Sequence, residues 1–265
     1  AGATFQLNDN SSAYFSYAVA NREPVRNDFV DNPKNEIPEH EVLNNIELGY
    51  RKATSKYTLS ANYYLMDYKN QLVLTGAVND VGANVRENVA DSYRMGIELQ
   101  GSYNLANNLI LNANATFSRN KINSFTETII DFGPAFDQNI VITNDYEDTD
   151  IAFSPNVIAG GQLIYSPVKN VNFAVLSKYV GKQFLDNTSN ENRAIDAYFV
   201  TDLRMDINFQ SKVFKNINVG LLVNNIFSTE YVSNGYFGGQ DFEVRENYFY
   251  PQAPANFLAS LSLKF

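Results

Sequence analysis

Apolar and polar residues alternate with period two along most of the chain. From Tyr57 to Met66 one set reads Tyr57, Leu59, Ala61, Tyr63, Leu65 and the other Thr58, Ser60, Asn62, Tyr64, Met66. Leu109, Leu111, Ala113, Ala115 and Phe117 interleave with Ile110, Asn112, Asn114, Thr116 and Ser118 in the same way, as do Ile217, Val219, Leu221 and Val223 with Asn218, Gly220, Leu222 and Asn224. Successive side chains of a strand point to opposite faces, so this is a strand pattern and not a helical one. It predicts strands near residues 2–7, 12–21, 44–52, 57–67, 92–103, 109–119, 156–166, 171–181, 197–210, 216–227 and 254–265. Most are close to the ~9 to 11 residues that a tilted strand needs to cross a bilayer.

The predicted connections fall into two kinds. Residues 8–11, 53–56, 104–108, 167–170 and 211–215 are short, whereas 22–43, 68–91, 120–155, 182–196 and 228–253 are long. Short and long alternate strictly. In an up-and-down antiparallel sheet that puts every short turn at one end and every long loop at the other, which is the asymmetry of an outer-membrane β-barrel with short periplasmic turns. A soluble sandwich has shorter strands, typically ~5 to 6 residues, and would bury its apolar face against a second sheet. The expected fold is therefore an all-β, transmembrane, antiparallel up-and-down barrel. In its last strand Phe257, Leu261, Leu263 and Phe265 are expected to face lipid, and Leu258, Ser260, Ser262 and Lys264 the lumen. That strand is expected to be hydrogen-bonded on both sides. A terminal aromatic such as Phe265 on an alternating strand resembles the signal that outer-membrane proteins present to the barrel assembly machinery.

Composition supports this reading. With 45% apolar residues, 19 Phe, 17 Tyr and only 8 Pro, the chain is rich in strand formers. No window approaches the ~18 consecutive apolar residues of a membrane-spanning helix. The mean hydropathy of −0.28 is compatible with a barrel, whose strands expose apolar residues only at alternate positions. A formal charge of −9 without a basic stretch argues against nucleic acid as a partner. The absence of Cys excludes disulfides and cysteine-ligated metal.

No catalytic constellation emerges, and no cofactor is implied. His40, the single histidine, lies in a long loop between Glu39 and Glu41 and reads as a solvated loop residue. The 120–155 loop carries Glu127, Asp131, Asp137, Asp145, Glu147, Asp148 and Asp150, enough for a cation site or a repulsive gate, but without EF-hand spacing. Arg22 and Arg26 stand where the second strand enters its loop. Their guanidinium forks suit an anionic chelate, or pair locally with Glu23 and Asp28. In the 228–253 loop, Tyr236, Phe237 and Phe242 are candidates to stack on a flat ligand or a sugar. Tyr231 and Tyr248 to Tyr250, nearer the strands, read as interface-belt residues. Gly235, Gly238 and Gly239 make this loop a candidate lid.

Three stretches carry a family resemblance. Tyr14 to Phe29, "YFSYAVANREPVRNDF", followed by Pro38-Glu39 and Asn45-Ile46-Glu47-Leu48-Gly49-Tyr50, is similar to TonB-dependent outer-membrane receptors. Asn88 to Leu99, "NVADSYRMGIEL", resembles that family's descending Gly-x-Glu strand, and Asn224-Asn225-Ile226-Phe227 with Tyr231 resembles the end of its penultimate strand. The resemblance covers nearly the whole chain. It implies the C-terminal half of a 22-stranded barrel, the plug and N-terminal strands lying elsewhere. It further implies active import of a scarce ligand, powered by the TonB–ExbB–ExbD complex acting through the plug, within the lipid and lipopolysaccharide of the outer membrane. An iron–siderophore complex, a small-molecule metal chelate, is the first ligand class implied. Cobalamin, haem and oligosaccharides remain alternatives, as does a porin or barrel enzyme of about ten strands.

Overall fold

The computed structural model describes residues 1–31, 37–78, 81, 83–131, 140–238 and 245–265. The chain runs β1 (Gly2–Asn8), β2 (Ser11–Arg22), α1 (Arg26–Val30), β3 (Glu41–Ala53), β4 (Tyr57–Val78), β5 (Asn84–Ala106), β6 (Leu109–Asp131), β7 (Ile140–Asp150), β8 (Val157–Val168) and β9 (Val171–Val180). It continues with β10 (Gln183–Phe184), β11 (Ala194–Ile195), β12 (Tyr198–Phe209), β13 (Asn216–Asn224), β14 (Val232–Gly238), β15 (Glu246–Pro251) and β16 (Asn256–Lys264). One sheet follows the order β1-β2-β3-β4-β5-β6-β8-β9-β12-β13-β16, with β7 paired to β6 off this path. The eleven strands on the path are the eleven that the alternation predicts. β10–β11 and β14–β15 form separate two-stranded sheets.

The expected 228–253 loop holds the β14–β15 hairpin, and two others, 68–91 and 120–155, are continuations of the membrane strands. β4 and β5 run on past the membrane-length segments as one hairpin, with Gln71 opposite Val89 and Leu74 opposite Arg86. β6 likewise continues to Asp131 and pairs with β7, so that Thr126 faces Asp145 and Ile129 faces Ile142. Alternation fails in these extensions because both of their faces are covered: Leu72 and Val73, adjacent in sequence, are both buried. The terminal strand pairs with β13 on one side only; within this chain its other side, and the outer side of β1, are open edges.

The register separates two faces. Phe15, Leu48, Tyr63, Ile97, Phe117 and Val157 lie side by side across six strands on one face. Four of them are large and exposed, Phe15, Leu48, Ile97 and Phe117. Such a continuous apolar surface is what a bilayer covers. On the other face Ser12, Arg51, Ser60, Gln100, Asn114, Gly160 and Lys178 form an equivalent row. This polar face lines a trough of about 1200 Å³. Gly49 is required on it: the Tyr14 ring lies across the glycine, within 1.9 Å of where a Cβ would stand, and its hydroxyl donates to Asn62 Oδ1 at 2.9 Å.

The apolar core lies above the trough, in the hairpin extensions. Val73, Val89, Ile122, Phe125 and Ile151 form its cluster, with Tyr146 packed against it. Burying such side chains contributes ~1.5 to 3 kcal/mol each. That is enough to hold the extensions upright in water.

Candidate functional site

The segment between β9 and β12, residues 181–197, organises this end of the molecule. Asn187 is fully buried; its Nδ2 donates to the Leu74 carbonyl at 2.6 Å, and its Oδ1 accepts from the Ala152 amide at 2.8 Å. One side chain thus joins the segment to the β4 extension and to the chain that follows β7. Leu185, also fully buried, packs where β4 bends at Gly76. That glycine has φ +87, and a Cβ there would stand 2.6 Å from the Leu185 carbonyl oxygen. On its other side Leu185 meets Gly235 of β14, where a Cβ would lie 3.2 Å from its Cδ2.

Around this hub four charged residues meet. Arg193 Nη1 donates to Glu127 Oε1 at 2.7 Å and to Asp186 Oδ2 at 2.8 Å. Glu127 Oε2 also accepts from Tyr146 Oη at 3.2 Å, and Asp186 Oδ1 accepts from the Thr188 amide and hydroxyl at 3.0 and 2.6 Å. Arg245 Nη1 lies 3.6 Å from Glu127 Oε1 and has no hydrogen-bond partner among the described residues. Both guanidiniums lie over the Phe237 ring, at 4.0 Å for Arg193 and 4.9 Å for Arg245, a cation–π geometry. Burial lowers the Arg193 pKa, but the hydrogen bonds to Asp186 and Glu127 more than offset it and the net direction is upward. Burial pushes Arg245 below its ordinary value, with Glu127 pulling the other way. Tyr146 is raised, first by burial and then by the Glu127 carboxylate.

Beside the cluster is a cavity of about 170 Å³. Asp31 after α1, Thr75 of β4 and Glu87 of β5, Phe125 and Thr128 of β6, Thr188, and Phe237 with Arg245 all reach it. Every one of the five long connections contributes. The arrangement holds charges and aromatic surface around a small space; its hydroxyl–carboxylate pair of Thr188 with Asp186 is buried and serves to order the segment's turn.

Of the residues singled out in the sequence, Phe237 and Glu127 sit in this cluster, Glu127 held by Arg193 and Tyr146. Tyr236, its neighbour on β14, stacks instead on Tyr248 at 4.8 Å and approaches Tyr250 at 6.2 Å. Phe242 lies outside the described residues. Arg22 ends β2 and Arg26 begins α1; both are exposed, and neither lines the cavity. Asp28 accepts from the Val25 amide at 2.8 Å and faces Arg86 at 3.8 Å. Among the described carboxylates of the 120–155 stretch, Asp145 is tied to Thr126, Asp150 to Lys121 and Asp148 to Arg119, while Asp137 lies outside the described residues. Among the described residues no group of three or more His, Cys, Asp or Glu is placed to hold a metal ion. Arg193, Asp186 and Arg245 escaped the sequence reading, because "LDN", "ENRAID" and an isolated arginine carry no periodic signal. At the opposite end Phe265 packs its ring against Phe214, 4.9 Å away.

A family model described as TonB dependent receptor-like, beta-barrel, matches residues 1–226. The chain belongs to the TonB-dependent receptors. Its open sheet is part of the barrel of that family, and such barrels reside in the outer membrane. This receptor chain is similar in fold to the ferric citrate transporter FecA in its unliganded form (20% identity, TM-score 0.71, 100% of this chain and 37% of that one). It is also similar to the siderophore receptor PiuA from Acinetobacter baumannii (19%, TM-score 0.70, 98% and 34%) and to the ferric yersiniabactin uptake receptor FyuA from Yersinia pestis (17%, TM-score 0.68, 97% and 35%). The chain spans little more than a third of the length of these structures. No curated protein sequence matches it. In the family's orientation the short turns are periplasmic and the charged cluster is external.

Proposed function

We propose that this receptor chain serves in an importer that takes a scarce iron chelate across the outer membrane, with energy delivered by the TonB–ExbB–ExbD complex. The observation that carries the reading is the convergence of all five external connections on one charged, aromatic-floored cavity above a polar trough. A mouth that gathers and a conduit that stays wet are what a ligand-gated importer needs. The names of FecA, PiuA and FyuA, each a receptor or transporter for a ferric complex or siderophore, favour an iron chelate as cargo. Similarity to the copper transporter OprC suggests a metal-ion alternative. In this reading Arg22, Arg26, Tyr236, Phe237 and Phe242 contact the ligand at the external rim.

Deleting the full-length receptor and following radiolabelled iron uptake from a panel of ferric chelates tests this. Uptake of at least one chelate should fall to background and return with the intact gene, but not with a form lacking its TonB-contacting segment. Uptake of every chelate at the parental rate would sink the proposal.

A further inference from the structure

The periplasmic end has a charge of its own. Across the five short turns, residues 9–10, 54–56, 107–108, 169–170 and 210–215, the charged side chains are Asp9, Lys56, Lys169, Lys212 and Lys215, and Lys52 stands at the foot of β3. In a chain of net charge −9, this rim is basic. Among the described residues none of these lysines takes part in an ion pair.

Their neighbours are those of a membrane interface. Lys52 Nζ lies 5.9 Å from the Tyr57 ring and Lys56 Nζ 5.2 Å from the Tyr103 ring, and the two rings stack at 6.4 Å on the lipid-facing side. The belt continues through Tyr165, Phe173 and Phe209 to the Phe214–Phe265 pair. Exposed aliphatic residues mark the turns beside the lysines: Val168 precedes Lys169, and Val213, 71% exposed, separates Lys212 from the Phe214 that follows. Aromatic rings at headgroup level with lysine ammonium groups over them put positive charge at the depth of lipid phosphates. Six strand steps separate the β3–β4 turn from the β12–β13 turn. At ~4.8 Å per step the lysines spread over roughly 30 Å of rim. That spacing suits a field of headgroups rather than one compact ligand.

We propose that this rim binds the anionic glycerophospholipid headgroups of the periplasmic leaflet and so fixes the depth of the barrel in the outer membrane. The inference needs only the orientation of the barrel, so it stands or falls separately from the cargo.

The test uses the full-length receptor in nanodiscs of phosphatidylethanolamine and phosphatidylglycerol, with native mass spectrometry counting the lipids that stay bound. A lysine at an anionic surface is worth roughly a fivefold preference. The wild-type receptor should retain phosphatidylglycerol well above its share, and the variant K52Q/K56Q/K212Q/K215Q should lose that enrichment by tenfold or more. The corresponding arginine variant, which keeps the charge, should retain it. Equal enrichment in wild type and glutamine variant would overturn the proposal. So would loss of enrichment in the arginine variant, displacement of the lipid by millimolar inorganic phosphate, or preferential retention of added lipopolysaccharide, the lipid of the opposite leaflet.

Discussion

Replacing Arg193 by Gln should loosen the external hairpins without unfolding the barrel. The guanidinium makes two charge-assisted hydrogen bonds, at 2.7 and 2.8 Å, to carboxylates whose side chains are 9% and 5% exposed. Each such bond contributes ~1.5 to 3 kcal/mol, and removing one partner of a buried pair typically costs ~3 to 5 kcal/mol. Two features soften the loss: Arg245 stays near Glu127, and Thr188 still donates twice to Asp186. A local cost of about 3 kcal/mol remains, which raises opening roughly 150-fold at tenfold per ~1.4 kcal/mol. Hydrogen exchange on the full-length receptor reads this directly. Amides at 183–188 and 232–238 should exchange about two orders of magnitude faster, while those of 96–103 and 109–117 keep their rates. Adding Glu127→Gln should cost much less than it does alone, because the two residues share one interaction. A change below fivefold in the hub amides, or equal acceleration in the barrel strands, would refute the assignment of Arg193 as the local tie.

Asn187→Ala should leave the Leu74 carbonyl and the Ala152 amide without partners in a buried setting, at a cost of ~2 to 4 kcal/mol; protease cleavage within 181–197 should appear at concentrations that leave the wild type intact. Phe237→Ala removes the ring beneath two guanidiniums. It should weaken attachment of β14–β15 by ~1 to 2 kcal/mol, seen as faster exchange in that hairpin and not in β4. Gly49→Ala should displace the Tyr14 ring and break its bond to Asn62. The expected ~1 to 3 kcal/mol of overpacking should show as a lower temperature for loss of the folded band on an electrophoretic gel, and pairing the change with Tyr14→Ala should recover part of it.

The membrane portion of the fold was legible because lipid on one side and water on the other impose period two. Residues 57–67 and 109–119 wear that pattern openly. The extensions were not legible. Residues 71–74, Gln-Leu-Val-Leu, sit between covered surfaces, so alternation lapses even though the ladder continues. A bilayer-thickness estimate of strand length then ends each strand too soon. Of the site, Phe237 could be singled out as an aromatic in a loop and Glu127 as one carboxylate of an acidic stretch. Glu127, Asp186, Arg193 and Arg245 come together from three separate stretches, and only the folded sheet brings such distances of sequence into contact. Arg22 and Arg26 drew notice by their place at a strand end, where the structure finds them exposed.

The hairpin extensions carry their own buried cluster, built from Val73, Val89, Ile122, Phe125 and Ile151, while the barrel beneath keeps its apolar residues on the outside. The two storeys therefore answer to different solvents. A substitution in the upper one is judged by water and by neighbouring side chains, one in the lower by lipid. Selection can rework the external surface, even lengthening or re-pairing its hairpins, with little effect on insertion into the membrane. A designer has the same freedom, and would graft new specificity by cutting across β4, β5 and β6 at the level of Ser92 and Asn120, where the wet trough gives way to the dry core.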